Sequence, residues 1–340
     1  MKALQLKAVG RIELVEIEAP TAGDDELLVR TGASTICTSD LNDLRANPFG
    51  VHLPVVMGHE AAGTVVSVGR RVTGFRPGDR VAAHPVHPCG RCENCLAGMG
   101  HLCSSMRHFG LNMQGTFAER FVVRADRARM VPAQVPFTTA ALAEPVSVCL
   151  EALAQARLRE GAALLIIGDG PFGVMIARLA EGLRLRKTVI AGHHDFRLSF
   201  ARHAEQVNAS KAHDATAVLA AEAGPSGYDA VILAVGTPAA AREGLALLRA
   251  KGRLVVFSAV PGACPIDLFA VHVRELEIVG ACNDDERLDE AVSLLADARL
   301  GLGQLVTHKF RLDEYRDAFR LAETGREEAM KVAFVFGGEA

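Results

Sequence analysis

Four cysteines, Cys89, Cys92, Cys95 and Cys103, fall within the segment HPCGRCENCLAGMGHLC at the spacing C-x2-C-x2-C-x7-C. Thiolates so close in the chain can fold around one metal ion, and Gly90, Gly98 and Gly100 give the backbone the freedom to do so. Four sulfur ligands with no open position describe a closed structural zinc site. An iron–sulfur cluster can show similar spacing, and four unrelated buried cysteines are the plainer alternative. A closed site holds a loop together and performs no reaction. Residues of a second kind lie in the same half of the chain: Cys37 in CTSD, His59 and Glu60 in GHE, and Glu144 in LAEPVSV. A thiolate, an imidazole and a carboxylate suit an open zinc, which keeps a position for water or substrate and acidifies a bound hydroxyl. Each of these residues alone is commonly structural, so their weight comes from the company they keep.

That company is a nucleotide-binding pattern. Gly168-Asp169-Gly170-Pro171-Phe172-Gly173 is G-x-G-x-x-G set between the apolar run AALLIIG and the helical PFGVMIARLAEGL. Gly168 permits a tight turn, Gly170 lets the backbone approach a pyrophosphate, and Gly173 lets the helix pack close to the strand. A helix N-terminus favours the negative charge. A merely structural glycine turn is the alternative, but the strand-to-helix context points to NAD(P) and hence to hydride transfer. Pro171 and Phe172 belong to the same turn; Gly192, His193 and Arg197 in VIAGHHDFR, and Val235 and Gly236 in YDAVILAVG, are further coenzyme-contact candidates. An acidic residue at the end of the second strand takes the adenosine ribose hydroxyls and repels a 2′-phosphate. Gly192 stands there instead, and His193, His194 and Arg197 follow with donors and positive charge, which tilts the expectation toward NADP.

The elements that must position these residues follow from the periodicity. Up to about residue 145, short alternating segments such as LLVRTGAST, GHEAAGTVVSVG and DRVAAH, separated by Gly, Pro and Asp turns, predict a β-rich, barrel-like domain. Beyond it, buried-strand runs (AALLIIG, TVIAG, YDAVILAVG, GRLVVFS, LEIVGA) alternate with helical ones, as in AAAREGLALLRA, which predicts an α/β doubly wound parallel sheet. A final strand is expected at KVAFVF. The 340 residues, 49% of them hydrophobic, are enough for two cores.

CTSD, GHE, CGRCENC with its later cysteine, AEP and GDGPFG, in this order and at these intervals, resemble the zinc-dependent medium-chain alcohol and polyol dehydrogenases over essentially the whole chain. The resemblance implies a GroES-like catalytic domain over 1–148, carrying a structural zinc lobe at about 87–105. A Rossmann domain would occupy 149–281, and 282–340 would return to the catalytic domain. It implies Cys37 and His59 as catalytic zinc ligands, Glu60 as the third, and Glu144 close by as a direct or water-mediated ligand. Asp40 would orient His59, and Ser39 would accept the proton of the zinc-bound hydroxyl. Two zinc ions per chain follow. The chain departs from the pattern at Asn42, where many relatives carry a histidine that passes the proton to solvent; an amide cannot titrate.

Glu144, where simple alcohol dehydrogenases have cysteine, and NPF before GHE look more like the branch acting on sugar alcohols, aldonates or threonine. A polyol, sugar acid or related small hydroxy compound is the expected substrate, with a simple alcohol or L-threonine as the alternative and a non-catalytic zinc and NAD(P) binding protein as the rival class. His84, Phe109 and Arg120 are possible pocket residues, and Cys149, Cys264 and Cys282 match no metal motif and read as packing residues. The net charge of −3 and the dispersed Lys and Arg give no nucleic-acid footprint. The N-terminus lacks the apolar core of a signal peptide and no apolar run approaches ~20 residues, so a cytoplasmic homo-oligomer without membrane partner is expected.

Overall fold

The computed structural model describes residues 1–284 and 286–337; Asp285 and residues 338–340, in the expected C-terminal return, lie outside the described residues. The chain divides into two units. One comprises Met1–Ser147, Asp285–Gly325 and Ala329–Ala340, and the other Val148–Asp284 with Arg326–Glu328.

The first unit is built on a seven-stranded sheet in the order Ala128–Met130, Arg80–Ala83, Glu60–Val68, Glu26–Thr35, Lys331–Val335, Val306–Phe310, with Arg120–Arg124 also pairing with Glu26–Thr35. Side chains alternate between the faces of a strand. Leu27, Val29, Ala61, Val65, Val81, Ala83, Phe121 and Val123 accordingly fill one cluster. Ile36, Val332 and Phe334 join Leu4, Leu6 and Phe117 in another. The KVAFVF strand is therefore internal to the sheet, between Val306–Phe310 and the distant Glu26–Thr35. It is seated by aromatic packing: the Phe334 ring stands edge-on to Phe117 at 5.0 Å and lies 6.3 Å from Phe319.

The second unit is a six-stranded parallel sheet in the order Glu205–Asn208, Lys187–Gly192, Ala163–Ile167, Tyr228–Leu233, Leu248–Val256, Glu277–Gly280. By sequence this is 3-2-1-4-5-6, the doubly wound order, whose switch point falls beside the first strand. All five residues of Ala163–Ile167 are buried, as a strand covered on both faces requires. The α/β class and the parallel sheet are thus as the periodicity indicated, and the doubly wound order is that of the Rossmann domain the resemblance implies.

Phe137–Ala156 is helical over 20 residues and apolar enough to cross a bilayer by length and composition. Its most apolar window is 89% buried within the protein, so it is a core helix. Thr138, Thr139, Glu144 and Glu151 interrupt its apolar sequence.

Phe334→Ala should remove a ring that is fully buried among Phe117 and Phe319, at a cost of about 3–5 kcal/mol. Denaturant unfolding of the variant against wild type measures it; a change below about 1 kcal/mol would mean that the C-terminal strand is not held by this packing.

Candidate metal and coenzyme sites

The four clustered cysteines come together. Their sulfur atoms lie within 4.8 Å of one another, with Cys92 and Cys95 3.4 Å apart, Cys92 and Cys103 3.8 Å, and Cys89 and Cys95 4.0 Å. These separations are too long for disulfides, and none of the eight cysteines is in a disulfide. Around a tetrahedral zinc with bonds of ~2.3 Å, neighbouring sulfurs stand about 3.8 Å apart, so the cradle fits that ion. Backbone donors favour thiolates: the N–H groups of Cys89 and Ser105 point at Cys103 Sγ from 3.2 and 3.3 Å. Those of Cys95 and Ser104 draw Cys92 down to about 5, whereas burial and the adjacent Cys92 thiol push Cys95 up to about 11.

The second cluster is assembled by sheet register. Glu60 opens its strand directly opposite Thr35, and Ala333 of the C-terminal strand also pairs with Thr35. Cys37 follows as the N-cap of the helix Thr38–Ala46, and His59 precedes Glu60. One ligand atom from each of Cys37, His59 and Glu60 lies within 4.8 Å of the others, and all three residues are buried. Asp40 joins the group through two contacts. It accepts the Cys37 N–H at 2.9 Å and places Oδ1 3.5 Å from His59 Nδ1. Although burial opposes a proton on His59, Asp40 and Cys37 raise its proton affinity well above the ordinary value. A soft thiolate, an imidazole and a carboxylate gathered in a dry site that attracts positive charge are a donor set suited to zinc, which would take the place of that proton. Glu144 is buried at the head of the helix Ala143–Ala156 and its charge reaches Lys331, but it is outside the three-residue set. Ser39 and Asn42 sit half-buried on Thr38–Ala46.

The residue missing from the sequence reading is Lys331. Its ammonium, 3% exposed, donates to Glu60 Oε1 at 2.6 Å, to Glu60 Oε2 at 2.5 Å and to the carbonyl of Ile36 at 3.1 Å. Thr35 Oγ1 also donates to Glu60 Oε2. Glu60 thus already has a fixed cation and would have to share its carboxylate with a metal. A second omission is His108, whose ring lies 5.5 Å from that of His59. Burial and the charge of His59 pull it down to about 3, and its Nδ1 lies 2.7 Å from the carbonyl of Phe109. Phe109, considered for the pocket, is instead core, packed edge-on to His87 and Phe121. Arg120 lies exposed, and His84 is buried with Nδ1 accepting the Val86 N–H. Cys149 and Cys264 do pack, but Cys282 is exposed.

In the second unit the glycine turn has the shape a dinucleotide needs. Gly168 has φ +126°, and a Cβ there would meet the backbone of Ala234 at 2.8 Å. A Cβ on Gly173 would strike the Gly168 carbonyl, whereas at Gly170 it would meet nothing, leaving open space above the turn. Pro171 is the first residue of the helix Pro171–Leu179, and Phe172 packs edge-on to Phe257. Gly168 N–H bonds to Ala191 O and Ala234 N–H to Ile167 O, so Gly192 and Val235-Gly236 share the strand ends with the turn. The expectation of NADP rested on the absence of a carboxylate at that end. One is present: Asp169 lies against Gly192, with Oδ2 2.6 Å from where a Cβ would be. Oδ2 accepts the N–H of His193 at 2.7 Å and of His194 at 2.8 Å, and lies 2.9 Å from His194 Nδ1. Burial would raise this carboxyl, but these bonds hold it below its ordinary value. Arg197 also faces the charge of Asp169. Asp195 is turned elsewhere, bonded to Lys211 and Asn208.

Comparison with known proteins agrees with both units. Residues 23–133 match the model of the alcohol dehydrogenase GroES-like domain and residues 171–297 that of zinc-binding dehydrogenases. An L-threonine 3-dehydrogenase of Anaeromyxobacter dehalogenans is 31% identical over 319 residues, 92% of each chain. Among solved structures, a protein described as a zinc-binding dehydrogenase from Sinorhizobium meliloti 1021, bound to NADP, superposes with TM-score 0.92 at 28% identity over 98% of this chain and 99% of its own. One described as a short chain alcohol dehydrogenase from Escherichia coli CFT073, complexed with NADH, does so with TM-score 0.92 at 26% identity over 99% of each.

Two outcomes test the metal geometry. Elemental analysis should find two zinc ions per chain, a chelator should strip the Cys37 site first, and Cys92→Ser should impair folding rather than selectively lower kcat; one zinc, or an iron–sulfur chromophore, contradicts this. Lys331→Met should leave Glu60 a buried charge without its cation and destabilise the zinc-free protein by about 3–5 kcal/mol, with zinc restoring part of the loss in thermal unfolding. An equal loss with and without zinc would show that metal and ammonium do not share Glu60.

Proposed function

We propose, from the premise that this chain belongs to the zinc-dependent medium-chain dehydrogenase family, that it transfers hydride between the secondary alcohol of a small polyhydroxylated compound and NAD(P). The observation that carries the reading is the buried set of Cys37, His59 and Glu60 in a chain that also has an open G-x-G-x-x-G turn. Zinc bound there supplies a Lewis acid that makes a hydroxyl easier to deprotonate. Cys37, His59 and Glu60 would hold it, Asp40 would fix the His59 ring, and Ser39 would take the hydroxyl proton. Asn42 cannot carry that proton onward, which leaves water, a ribose hydroxyl or a carboxylate beside the metal to receive it.

A polyol, a sugar acid or a related hydroxy acid is the favoured substrate, because a second oxygen beside the reacting hydroxyl can meet the carboxylate-rich surroundings of Glu60 and Glu144. L-Threonine is the second reading, favoured by the 31% identity to an enzyme of that name over 92% of the chain. Eight cysteines without a disulfide suit a reducing cytoplasm. A homo-oligomer is supported by the second unit: the edge strand Glu277–Gly280 follows a helix, Leu268–Arg274, that leaves Leu268, Phe269 and Val273 72%, 74% and 55% exposed. An edge strand and such a patch favour a second copy of the chain.

The deciding assay offers C4 to C6 polyols, aldonates and L-threonine with each coenzyme to the zinc-loaded protein. Turnover of a polyol or aldonate at a higher kcat/KM than L-threonine is expected; the reverse order gives the threonine reading, and inactivity on all defeats both. Ser39→Ala should lower kcat much more than it raises KM, and full activity across pH would place the proton elsewhere. Phe269→Asp should convert an oligomer into a monomer by light scattering.

A further inference from the structure

The strand end that discriminates coenzymes carries an acid supplied from outside that strand. The carboxylate comes from Asp169, between the first two glycines of the turn, and is 7% exposed. The absence of a side chain at Gly192 is what admits it, since a Cβ there would collide with Asp169 Cβ. Gly192 and Asp169 are therefore a complementary pair: one strand gives up its side chain so that the neighbouring turn can insert a charge at the same place.

We propose that Asp169 is the residue that selects NAD(H) against NADP(H), an inference that rests on the reading of the glycine turn as a dinucleotide site. Two successive backbone N–H groups and an imidazole nitrogen converging on one point form the kind of concavity that receives an anion. In this chain His193 N–H, His194 N–H and His194 Nδ1 converge on Asp169 Oδ2. The donors that made His193 and His194 look like a phosphate site are engaged by an internal carboxylate. A 2′-phosphate arriving there would meet a fixed negative charge and donors already occupied. A free 2′-hydroxyl is a donor and finds an acceptor. Arg197 remains as positive charge, but it too faces Asp169.

The test is equilibrium binding, read without turnover. Dissociation constants for NADH and NADPH are measured by the change in nicotinamide fluorescence. Displacement of NADH by 5′-ADP and by 2′,5′-ADP then isolates the adenosine end. Wild type should bind NADH at least tenfold more tightly than NADPH, a difference of about 1.4 kcal/mol, and 5′-ADP more tightly than 2′,5′-ADP. Asp169→Asn, and independently Asp169→Ser, should shrink the NADH preference at least tenfold, chiefly by tighter NADPH binding. A wild-type preference for NADPH overturns the proposal. So does an equal weakening of both coenzymes in either folded variant, because a residue that only shapes the turn affects both alike. Wild type binding neither nucleotide would instead overturn the dinucleotide reading itself.

Discussion

The buried contact between Glu60 and Lys331 organises the metal-binding unit. Both groups are almost wholly removed from water, at 0% and 3% side-chain exposure, so each is tolerable only beside the other. Burial works against the charge on Lys331, but Glu60 and Cys37 outweigh it. The pair fixes more than itself. It locks the register of three adjacent strands, Glu60–Val68, Glu26–Thr35 and Lys331–Val335, whose pairings converge on Thr35. Cys37 leaves the middle strand two residues past Thr35, beside Lys331, and His59 enters the first one residue before Glu60. A slip of one residue in any strand would point these side chains to the opposite face.

The two thiol-bearing sites differ in origin in a way that matches their chemistry. Cys89, Cys92, Cys95 and Cys103 come from one short loop, so the loop's own chain entropy is the main obstacle to gathering them, and a metal can offset it. Cys37, His59 and Glu60 are gathered by a sheet that exists for other reasons, beside the ammonium of Lys331. The site attracts positive charge, since Lys331 is bonded to Glu60 and Asp40 and Cys37 raise the proton affinity of His59, and that separates it from the sulfur cradle.

Local motifs were legible in the sequence because a spacing of a few residues already implies proximity. The cysteine cradle, the glycine turn and the alternation of the doubly wound sheet belong to this class. Contacts across the sheet were not. KVAFVF reads as a strand, but nothing in it tells that its lysine will oppose a glutamate 271 residues earlier. Phe109, a possible pocket residue by sequence, packs into the core, while its neighbour His108 approaches His59. Gly192 was read by what it lacks, and the turn that fills the gap, at Asp169, lies 23 residues away. In each case the missing information was a contact between residues that the spacing along the chain does not bring together.

The position of Lys331 has a temporal consequence. A ribosome adding roughly 5–20 residues per second completes Glu60 well before the second unit exists and reaches Lys331 only after a further quarter-minute to a minute. Throughout that interval the nascent sheet lacks its Lys331–Val335 member and its aromatic seat at Phe334, and Glu60 has no ammonium to face. A carboxylate buried without its cation is costly, so the surroundings of Glu60 are complete only once the last strand is in place. Synthesis order thus sets the two members of the pair at opposite ends of the making of the chain, and a chain broken off before Lys331 would lack the cation that Glu60 faces.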